Sequence, residues 1–280
     1  MKKFLSVLAV CAVGSVAVGV GSASAFSLGG YTGGVEFVFT GLNQSADTTY
    51  DPPTPPPDAI APEGQTPGET WGIFRVTAIQ TADGSSTPLW VQGQENEQIY
   101  GMFYGLWDLQ YTGASPDVQI SQFGGQFDMY ISSDPDRTPV SEYNITLSRT
   151  AQNVYPTITD LSPVFLSGIF TPGIVAGDDT TTIYQNVTST TSPANGAGAG
   201  YGDLTGGTVF SMFDTDGFTD ANGIQRDVHI TFNVSDSTSA LWDQEITGPM
   251  QANPVPIPSA LLLLGSGLAG LVGLRRKSNT

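Results

Sequence analysis

Apolar and polar residues alternate in several short stretches of this chain, and a period of two is the pattern of a half-buried β-strand. The most regular stretch covers residues 227–235. Its apolar positions, all on one face, are Val228, Ile230, Phe232 and Val234. Residues 34–41 repeat the pattern, with Val35, Phe37 and Phe39 on one face. Both stretches predict strands that turn one face towards a core.

Further strands are predicted where apolar and aromatic residues are dense. They cover residues 71–80, 89–91, 99–111, 126–132, 163–171 and 206–213, with weaker patterns at 143–148 and 154–159. The stretch 71–80 is apolar on both faces, which predicts a central strand in a pair of sheets. Residues 140–149 are also compatible with a short helix. Residues 192–202 (SPANGAGAGYG) are rich in glycine and alanine and predict a flexible loop.

No stretch of the body repeats with the 3.6-residue period of a helix over three turns. The pattern therefore predicts an all-β fold, a two-sheet antiparallel β-sandwich of the jelly-roll or immunoglobulin-like type. We assign residues 26–253 to this body and leave the order of its strands open. Seven prolines within residues 51–68 predict an exposed loop inside the domain, because proline cannot donate to a strand ladder.

The N-terminus has the three parts of an export signal. Two lysines follow the first methionine, residues 4–20 are mostly apolar, and Ala23 and Ala25 mark a cleavage site for small residues. We therefore predict a signal peptide over residues 1–25, used by the Sec machinery and removed by signal peptidase. The alternative, a lipoprotein signal ending at Cys11, requires a small residue where valine stands. Because the chain has only this one cysteine, the mature body has neither a disulfide nor a thiol nucleophile.

The C-terminus, residues 254–280, has three consecutive parts: a joint punctuated by prolines, an apolar run and a basic end. The joint is Val255, Pro256, Ile257 and Pro258, and the basic end is Arg275, Arg276 and Lys277. The apolar helix, about residues 257–274, is borderline in length, because a membrane span needs about 20 residues. By the positive-inside rule the basic end stays cytoplasmic, so the body lies on the other side of the membrane.

This tail resembles the PEP-CTERM sorting signal of Gram-negative bacteria, in its Val-Pro-x-Pro variant. One position departs from the namesake motif, since Ile257 stands where that motif has glutamate. The resemblance implies that an exosortase-type membrane transpeptidase removes the helix and passes the protein from the inner membrane to the surface. The alternative is a plain C-terminal anchor. Parts of the body, such as residues 69–76 and 200–207, look like uncharacterised exported proteins with the same tail, and no biochemical function follows from that likeness.

Charge is distributed unevenly along the chain. All 26 acidic residues lie in the body, whereas five of the nine basic residues lie in the two terminal signals. The body keeps four basic residues, Arg75, Arg137, Arg149 and Arg226. Four positive charges against 26 negative ones leave a formal charge of −22. A field of this sign repels nucleic acid and anionic lipid, and it favours divalent cations and neutral or cationic partners.

Short oxygen-bearing side chains cluster in residues 214–222. Those that could bind calcium are Asp214, Asp216, Asp220 and Asn222. Calcium takes six to eight oxygen ligands on a tightly turning backbone, and Gly217 permits such a turn. The segment lacks the glutamate at the twelfth position of an EF-hand loop. The alternative is a hairpin turn that needs no ion.

Aromatic residues are concentrated in residues 99–111, where Tyr100, Tyr104 and Trp107 could stack on sugar rings. The same residues also suit a buried sheet core. No catalytic residue is predicted, because the chain has one histidine, His229, and no Gly-x-Ser-x-Gly elbow. A pair of glycosidase carboxylates stays open, since spacing in sequence does not report spacing in space.

These features predict a non-enzymatic exported protein of the cell surface or extracellular matrix, associated with exopolysaccharide or biofilm and processed through its tail. Two alternatives stay open. The first is a carbohydrate-binding or carbohydrate-cleaving protein that uses the aromatic residues between Tyr100 and Tyr111. The second is a surface protein stabilised by calcium.

Overall fold

The computed structural model describes residues 28, 30–47, 56–60, 67–133, 143–189 and 195–255. Both terminal signals lie outside the described residues, apart from Pro254 and Val255 at the start of the tail. The predicted signal residues that fall outside are Ala23, Ala25, Pro256, Ile257, Pro258, Arg275, Arg276 and Lys277.

Within the described ranges the chain forms twelve β-strands. They are β1 (Val35–Asp47), β2 (Glu69–Thr81), β3 (Pro88–Val91), β4 (Gln98–Ala114), β5 (Asp117–Ser132), β6 (Val164–Thr171), β7 (Ile183–Val187), β8 (Gly196–Gly206), β9 (Phe218–Thr219), β10 (Gln225–Arg226), β11 (Val228–Asp236) and β12 (Gln244–Ala252). Helical structure there consists of a 3-10 turn at Gln94–Asn96 and the one-turn helix α1 (Phe210–Phe213). In these same ranges, no helix has the length and apolar character needed to cross a membrane.

Eight strands close into an antiparallel β-barrel in the order β1-β12-β11-β8-β6-β5-β4-β2, and β2 then pairs with β1. Val35 completes the ring, because it stands opposite Ala252 of β12 on one side and Thr81 of β2 on the other. β7 lies between β5 and β8, the same two strands that flank β6, and pairs with both of them. β3 pairs with β2. The predicted two-sheet sandwich is therefore wrong. Closure removes the free edges that two packed sheets would leave.

Most of the predicted strands are confirmed, although several are longer than predicted and the bounds of others differ by one residue. Strands occupy the predicted stretches 34–41, 71–80, 89–91, 99–111, 126–132, 163–171 and 227–235. The prediction at 206–213 is wrong, because this stretch holds turns and α1. No strand forms at 143–148 or 154–159, and residues 143–149 are irregular rather than helical. The predicted loop at 192–202 is instead strand β8 from Gly196 onwards.

The inward faces of the strands form the main core, and one end of the barrel is plugged. Leu28, Trp90 and Phe213 are buried there. The Phe213 ring of α1 meets the Phe37 ring edge-on, with 5.3 Å between centroids and 71° between planes. We call this the plugged end. The opposite end, where β1 and β4 finish and β2, β5 and β12 begin, carries polar side chains and is called the polar end.

A second core lies on the outside of the barrel. It contains outward residues of β2 and β4 together with the buried side chains of residues 143–161, which we call the cover segment. Its members include Trp71, Ile73, Tyr100, Met102, Tyr104, Tyr155, Ile158, Leu161 and Trp242. Residues 71–80 bury both faces, but the predicted pair of sheets around them is wrong. One face lines the barrel, and the other lies under an irregular segment rather than a second sheet.

Candidate functional site

A cavity lies inside the barrel, and we call it the barrel cavity. The space open to the centre of a water-sized sphere is about 80 Å³. Its wall is mostly apolar and includes six phenylalanines: Phe39, Phe74, Phe103, Phe127, Phe170 and Phe232. An eight-stranded barrel is narrow enough for side chains to fill, or it can hold one small ligand. The arrangement of the rings decides between these two outcomes.

Five of the six rings lie over a glycine on the neighbouring strand. The pairs are Phe74–Gly101, Phe103–Gly72, Phe127–Gly168, Phe170–Gly125 and Phe232–Gly198. A Cβ atom added at Gly72 would lie 2.6 Å from the Phe103 ring, and one added at Gly168 would lie 2.5 Å from the Phe127 ring. Each ring therefore occupies space that a side chain of the next strand would need. The rings spread along the wall, which leaves the centre open.

Strand β8 contributes a row of glycines to the same inward face. Gly196, Gly198, Gly200 and Gly202 stand opposite the inward residues of β11, which are Val234, Phe232, Ile230 and Val228. Residues directly opposite each other in a ladder project to the same side of the sheet. This part of the wall therefore lacks side chains of its own. The sequence does carry a signal for this strand, because glycine stands at every second position and that spacing matches the period of a strand.

Polar side chains line the cavity towards the polar end. Gln122 Nε2 donates to Thr70 Oγ1 at 3.2 Å and to Asp108 Oδ1 at 2.8 Å, and Gln185 Nε2 donates to Gln122 Oε1 at 2.7 Å. The Tyr111 hydroxyl donates to the other oxygen of Asp108. Burial raises the pKa of the Asp108 carboxyl above its usual range, although these two hydrogen bonds oppose the rise. The side-chain amides of Gln122 and Gln185 therefore already have hydrogen-bond partners inside the protein.

Asn43 is the exception in the cavity wall. Its side chain is buried, with 5% exposed, and its Nδ2 donates to Gln244 Oε1 at 3.1 Å. Its Oδ1 is buried and has no hydrogen-bond partner in the described part of the chain. A buried acceptor left unsatisfied costs about 1–3 kcal/mol. Among the described cavity-lining residues, Asn43 alone carries such an atom.

A buried cluster of charges lies outside the barrel, at the edge of the second core. Arg149 of the cover segment is 1% exposed, and its Nη1 lies 2.9 Å from Oε2 of the fully buried Glu69. Its Nη2 lies 2.7 Å from Asp47 Oδ2. The guanidinium also lies over the Trp71 ring, 4.7 Å from the centroid. Glu69 Oε1 accepts from the backbone N–H of Gly105, so this cluster joins the cover segment to β1, β2 and β4.

The residues predicted to bind calcium do not converge on one point in the structure. Asp220 is buried in the β9–β10 hairpin, where Oδ1 accepts from two backbone N–H groups and Oδ2 accepts from Arg226 Nε at 2.9 Å. Asn222 Oδ1 accepts from the N–H of Gly177 at 2.7 Å. Asp214 and Asp216 are exposed. No group of three or more His, Cys, Asp or Glu side chains is arranged to hold a metal within the described residues. The calcium site stays a prediction.

The aromatic residues predicted to stack on sugars are all buried. Tyr100, Tyr104 and Trp107 are 0, 8 and 4% exposed. The Tyr104 hydroxyl donates to Asp128 Oδ2 at 2.9 Å, and the Tyr100 ring stacks on Tyr143 of the cover segment with 6.1 Å between centroids. These rings present no free face to a sugar in this structure. Carbohydrate binding stays a prediction, and it would require the cover segment or a strand pair to open.

The start of the sorting joint lies beside the plugged end. The backbone N–H of Val255 donates to the carbonyl of Met212 in α1 at 2.7 Å. Thr215 Oγ1 donates to the carbonyl of Asn253 at 2.9 Å. The side chain of Val255 is 41% exposed. The chain is therefore fixed to the barrel up to the first residue of the predicted motif.

Comparisons of the chain with protein-family models, with curated proteins and with solved structures find no match.

Proposed function

We propose that this chain is a non-enzymatic exported protein that its tail sorts to the cell surface or extracellular matrix. The observation that supports the proposal is the position of the last barrel strand. β12 completes the ring at Ala252, three residues before Val255. The barrel needs no residue of the tail for its closure, so a processing enzyme can remove the tail without removing a strand.

The joint at Val255 is also more accessible than a barrel strand. Hydrogen bonds hold Asn253 and Val255 against residues 212–215, and the side chain of Val255 faces outwards. A protease or transpeptidase needs an extended, accessible substrate, whereas a barrel strand is held by ladder hydrogen bonds on both sides. The prolines that follow favour an extended conformation as well.

The partners in this proposal follow from the two signals and from the charge. The Sec machinery and signal peptidase act on residues 1–25. An exosortase-type transpeptidase acts on the tail while the tail resides in the inner membrane. The mature body is then released to the surface, where exopolysaccharide is a candidate neighbour. Nucleic acid is not a partner in this proposal, because the body carries a formal charge of −22 from four basic and 26 acidic residues.

Mass spectrometry of the mature C-terminus from the native cell tests this proposal. We expect the wild-type protein to end before the apolar helix. The double variant Pro256→Ala/Pro258→Ala should keep its tail and remain in the membrane fraction. Pro254→Ala lies outside the Val-Pro-x-Pro motif and is the matched control, so it should be processed like the wild type. Unchanged processing of the double variant would show that the motif is not a sorting signal.

A further inference from the structure

We propose that the barrel cavity binds a small, largely apolar molecule that carries one hydrogen-bond donor at one end, of the kind represented by an alkylphenol. The inference goes beyond the proposed sorting function and does not depend on it. It rests on three properties of the cavity: its size, the chemistry of its wall and the unpartnered oxygen of Asn43.

The size of the cavity sets an upper limit on the ligand. About 80 Å³ is open to the centre of a water-sized sphere. This is more than a single water requires, so the cavity has room for one small molecule, as an eight-stranded barrel can enclose. A single aromatic ring with one or two small substituents is a ligand of this class.

The wall selects an uncharged and mostly apolar ligand. Its described lining contains no Asp, Glu, Lys, Arg or His side chain. Phenylalanine rings and the side chains of Met129 and Met250 make up much of the surface. Cavities lined by such groups stay dry and bind apolar molecules, whereas a charged molecule would lose its hydration without gaining a partner.

Asn43 determines the orientation of the ligand in the cavity. The neighbouring polar groups of Thr70, Gln122 and Gln185 already hydrogen-bond to one another. The Oδ1 atom of Asn43 is buried without a partner, so it is the acceptor that remains for a ligand. A hydroxyl or N–H group placed there would satisfy this oxygen, and the apolar part would extend between the phenylalanine rings. Because α1 and Trp90 occupy the plugged end, the ligand enters from the polar end.

The test uses two probes of nearly identical shape, p-cresol and p-xylene, which differ by a hydroxyl in place of a methyl. The protein is expressed with both signals intact, collected after export and labelled with ¹³C at the methionine methyl groups. Met129 and Met250 line the cavity, whereas Met102 belongs to the second core. We expect both probes to shift the Met129 and Met250 signals and to leave Met102 unchanged. One added hydrogen bond should make p-cresol bind about three- to tenfold more tightly.

Three variants make the test specific. Asn43→Leu removes the acceptor at similar volume, so p-cresol should lose its advantage while p-xylene still binds. Asn186→Leu, at an exposed position of β7, is the matched control and should bind both probes like the wild type. Ile246→Phe adds volume inside the cavity and should abolish binding of both probes. Each variant is compared by near-ultraviolet circular dichroism to establish that it is folded.

Several outcomes would overturn the inference. If neither probe shifts Met129 or Met250 in the wild type, the cavity is not a binding site. Equal affinity for the two probes in the wild type would refute the role of the hydrogen-bond donor, even if Asn43→Leu did not fold. A preference for p-cresol that survives in folded Asn43→Leu would refute the assignment to Asn43.

Discussion

Strands β2 and β4 bury both of their faces, and the two faces carry different aromatic residues. The inner face, in the barrel cavity, uses Phe74 and Phe103. The outer face, under the cover segment, uses Trp71, Tyr100 and Tyr104. The two tyrosine hydroxyls find partners on the outer face, Gln98 Oε1 for Tyr100 and Asp128 Oδ2 for Tyr104, whereas the Trp71 Nε1 has no partner in the described part of the chain. A buried hydroxyl or indole N–H needs a partner, and a phenylalanine ring does not.

The irregular backbone of the cover segment supplies partners for other aromatic residues of the second core. Tyr155 donates to the carbonyl of Asn144 at 2.5 Å, and Trp242 Nε1 donates to the carbonyl of Ile145 at 2.8 Å. In the opposite direction, the Tyr143 hydroxyl donates to the carbonyl of Ile73 at 3.2 Å. Inside the barrel, the ladder hydrogen bonds already use the backbone groups. The second core therefore gains specificity from polar contacts, whereas the cavity wall keeps its centre open.

The largest effect is expected at the buried charges of the second core. Arg149→Met would leave Glu69, which is fully buried, and Asp47 without their cation. Removing one partner of a buried ion pair costs about 3–5 kcal/mol. The midpoint of urea-induced unfolding should fall by a corresponding amount.

The double variant Arg149→Met/Glu69→Gln is the control for this prediction. It removes the uncompensated charge of Glu69 together with the cation, so it should be more stable than Arg149→Met alone. A loss below about 1 kcal/mol in the single variant would show that the charge cluster is solvated like an ordinary surface pair.

The next effect concerns the inner face and its glycines. Gly198→Ala would place a Cβ atom against the Phe232 ring and 2.9 Å from Gln185 Cγ. Overpacking of this kind costs about 1–3 kcal/mol. Gly206→Ala, in the same strand, meets nothing within 4 Å and should be neutral or slightly stabilising. Thermal unfolding of the two variants measures the difference, and equal stability would mean that the rings move without cost.

The comparison also shows which parts of the fold the sequence could predict. The inward positions Val228, Ile230, Phe232 and Val234 were predicted correctly, because alternation reports the face of a strand directly. Closure could not be predicted in this way, since sandwiches and barrels share a period of two. Closure depends on pairs such as Val35 with Ala252, which are far apart in sequence. Strand β12 was missed because its segment, which includes Pro249, has no regular alternation.

The candidate site was less accessible from the sequence than the fold. Glycine normally weakens a strand, so the composition of residues 192–202 predicts a loop, whereas Gly198 and Gly200 belong to the cavity wall. The position of Asn43 inside the barrel follows from the complete ring and not from its neighbours in sequence. Glu69 and Arg149 are likewise paired only by the tertiary fold. Tyr100 and Tyr104 were assigned to strands correctly, but their burial depends on the cover segment, which carries no periodic pattern.

A third prediction uses pH to distinguish the second core from the barrel cavity. Burial raises the pKa of Tyr130 and Tyr155, both in the second core, to about 12. In the unfolded chain their pKa is about 10, so the unfolded state loses these protons first. Their contribution to stability is therefore complete below pH 10 and is lost between about pH 10 and 12, at up to about 1.4 kcal/mol per tyrosine and pH unit.

Urea unfolding at pH 9, 10 and 11, followed together with tyrosinate absorbance, measures this effect. Tyr155→Phe should show a shallower loss of stability with rising pH than the wild type. The described lining of the barrel cavity contains no tyrosine, so binding of p-xylene should stay constant as long as the barrel is folded. A binding loss that precedes ionisation of the tyrosines would show that the two regions are coupled.

The smallest effect on folding stability is expected at Asn43, and here the substitution should stabilise the protein rather than destabilise it. The buried Oδ1 of Asn43 has no hydrogen-bond partner among the described residues, and Gln244, the partner of its Nδ2, is half-exposed and can bind water instead. Asn43→Leu should therefore raise the free energy of unfolding of the empty protein by about 1 kcal/mol, because an unsatisfied acceptor is replaced by an apolar group. Asn186→Leu, on the exposed face of β7, should change stability by less than about 0.5 kcal/mol.

A stability gain that accompanies a loss of preference for p-cresol would indicate that Asn43 is retained for binding, since stability and function commonly conflict at such positions. If Asn43→Leu is instead destabilised by more than about 1 kcal/mol, the side chain is a structural element of the barrel wall.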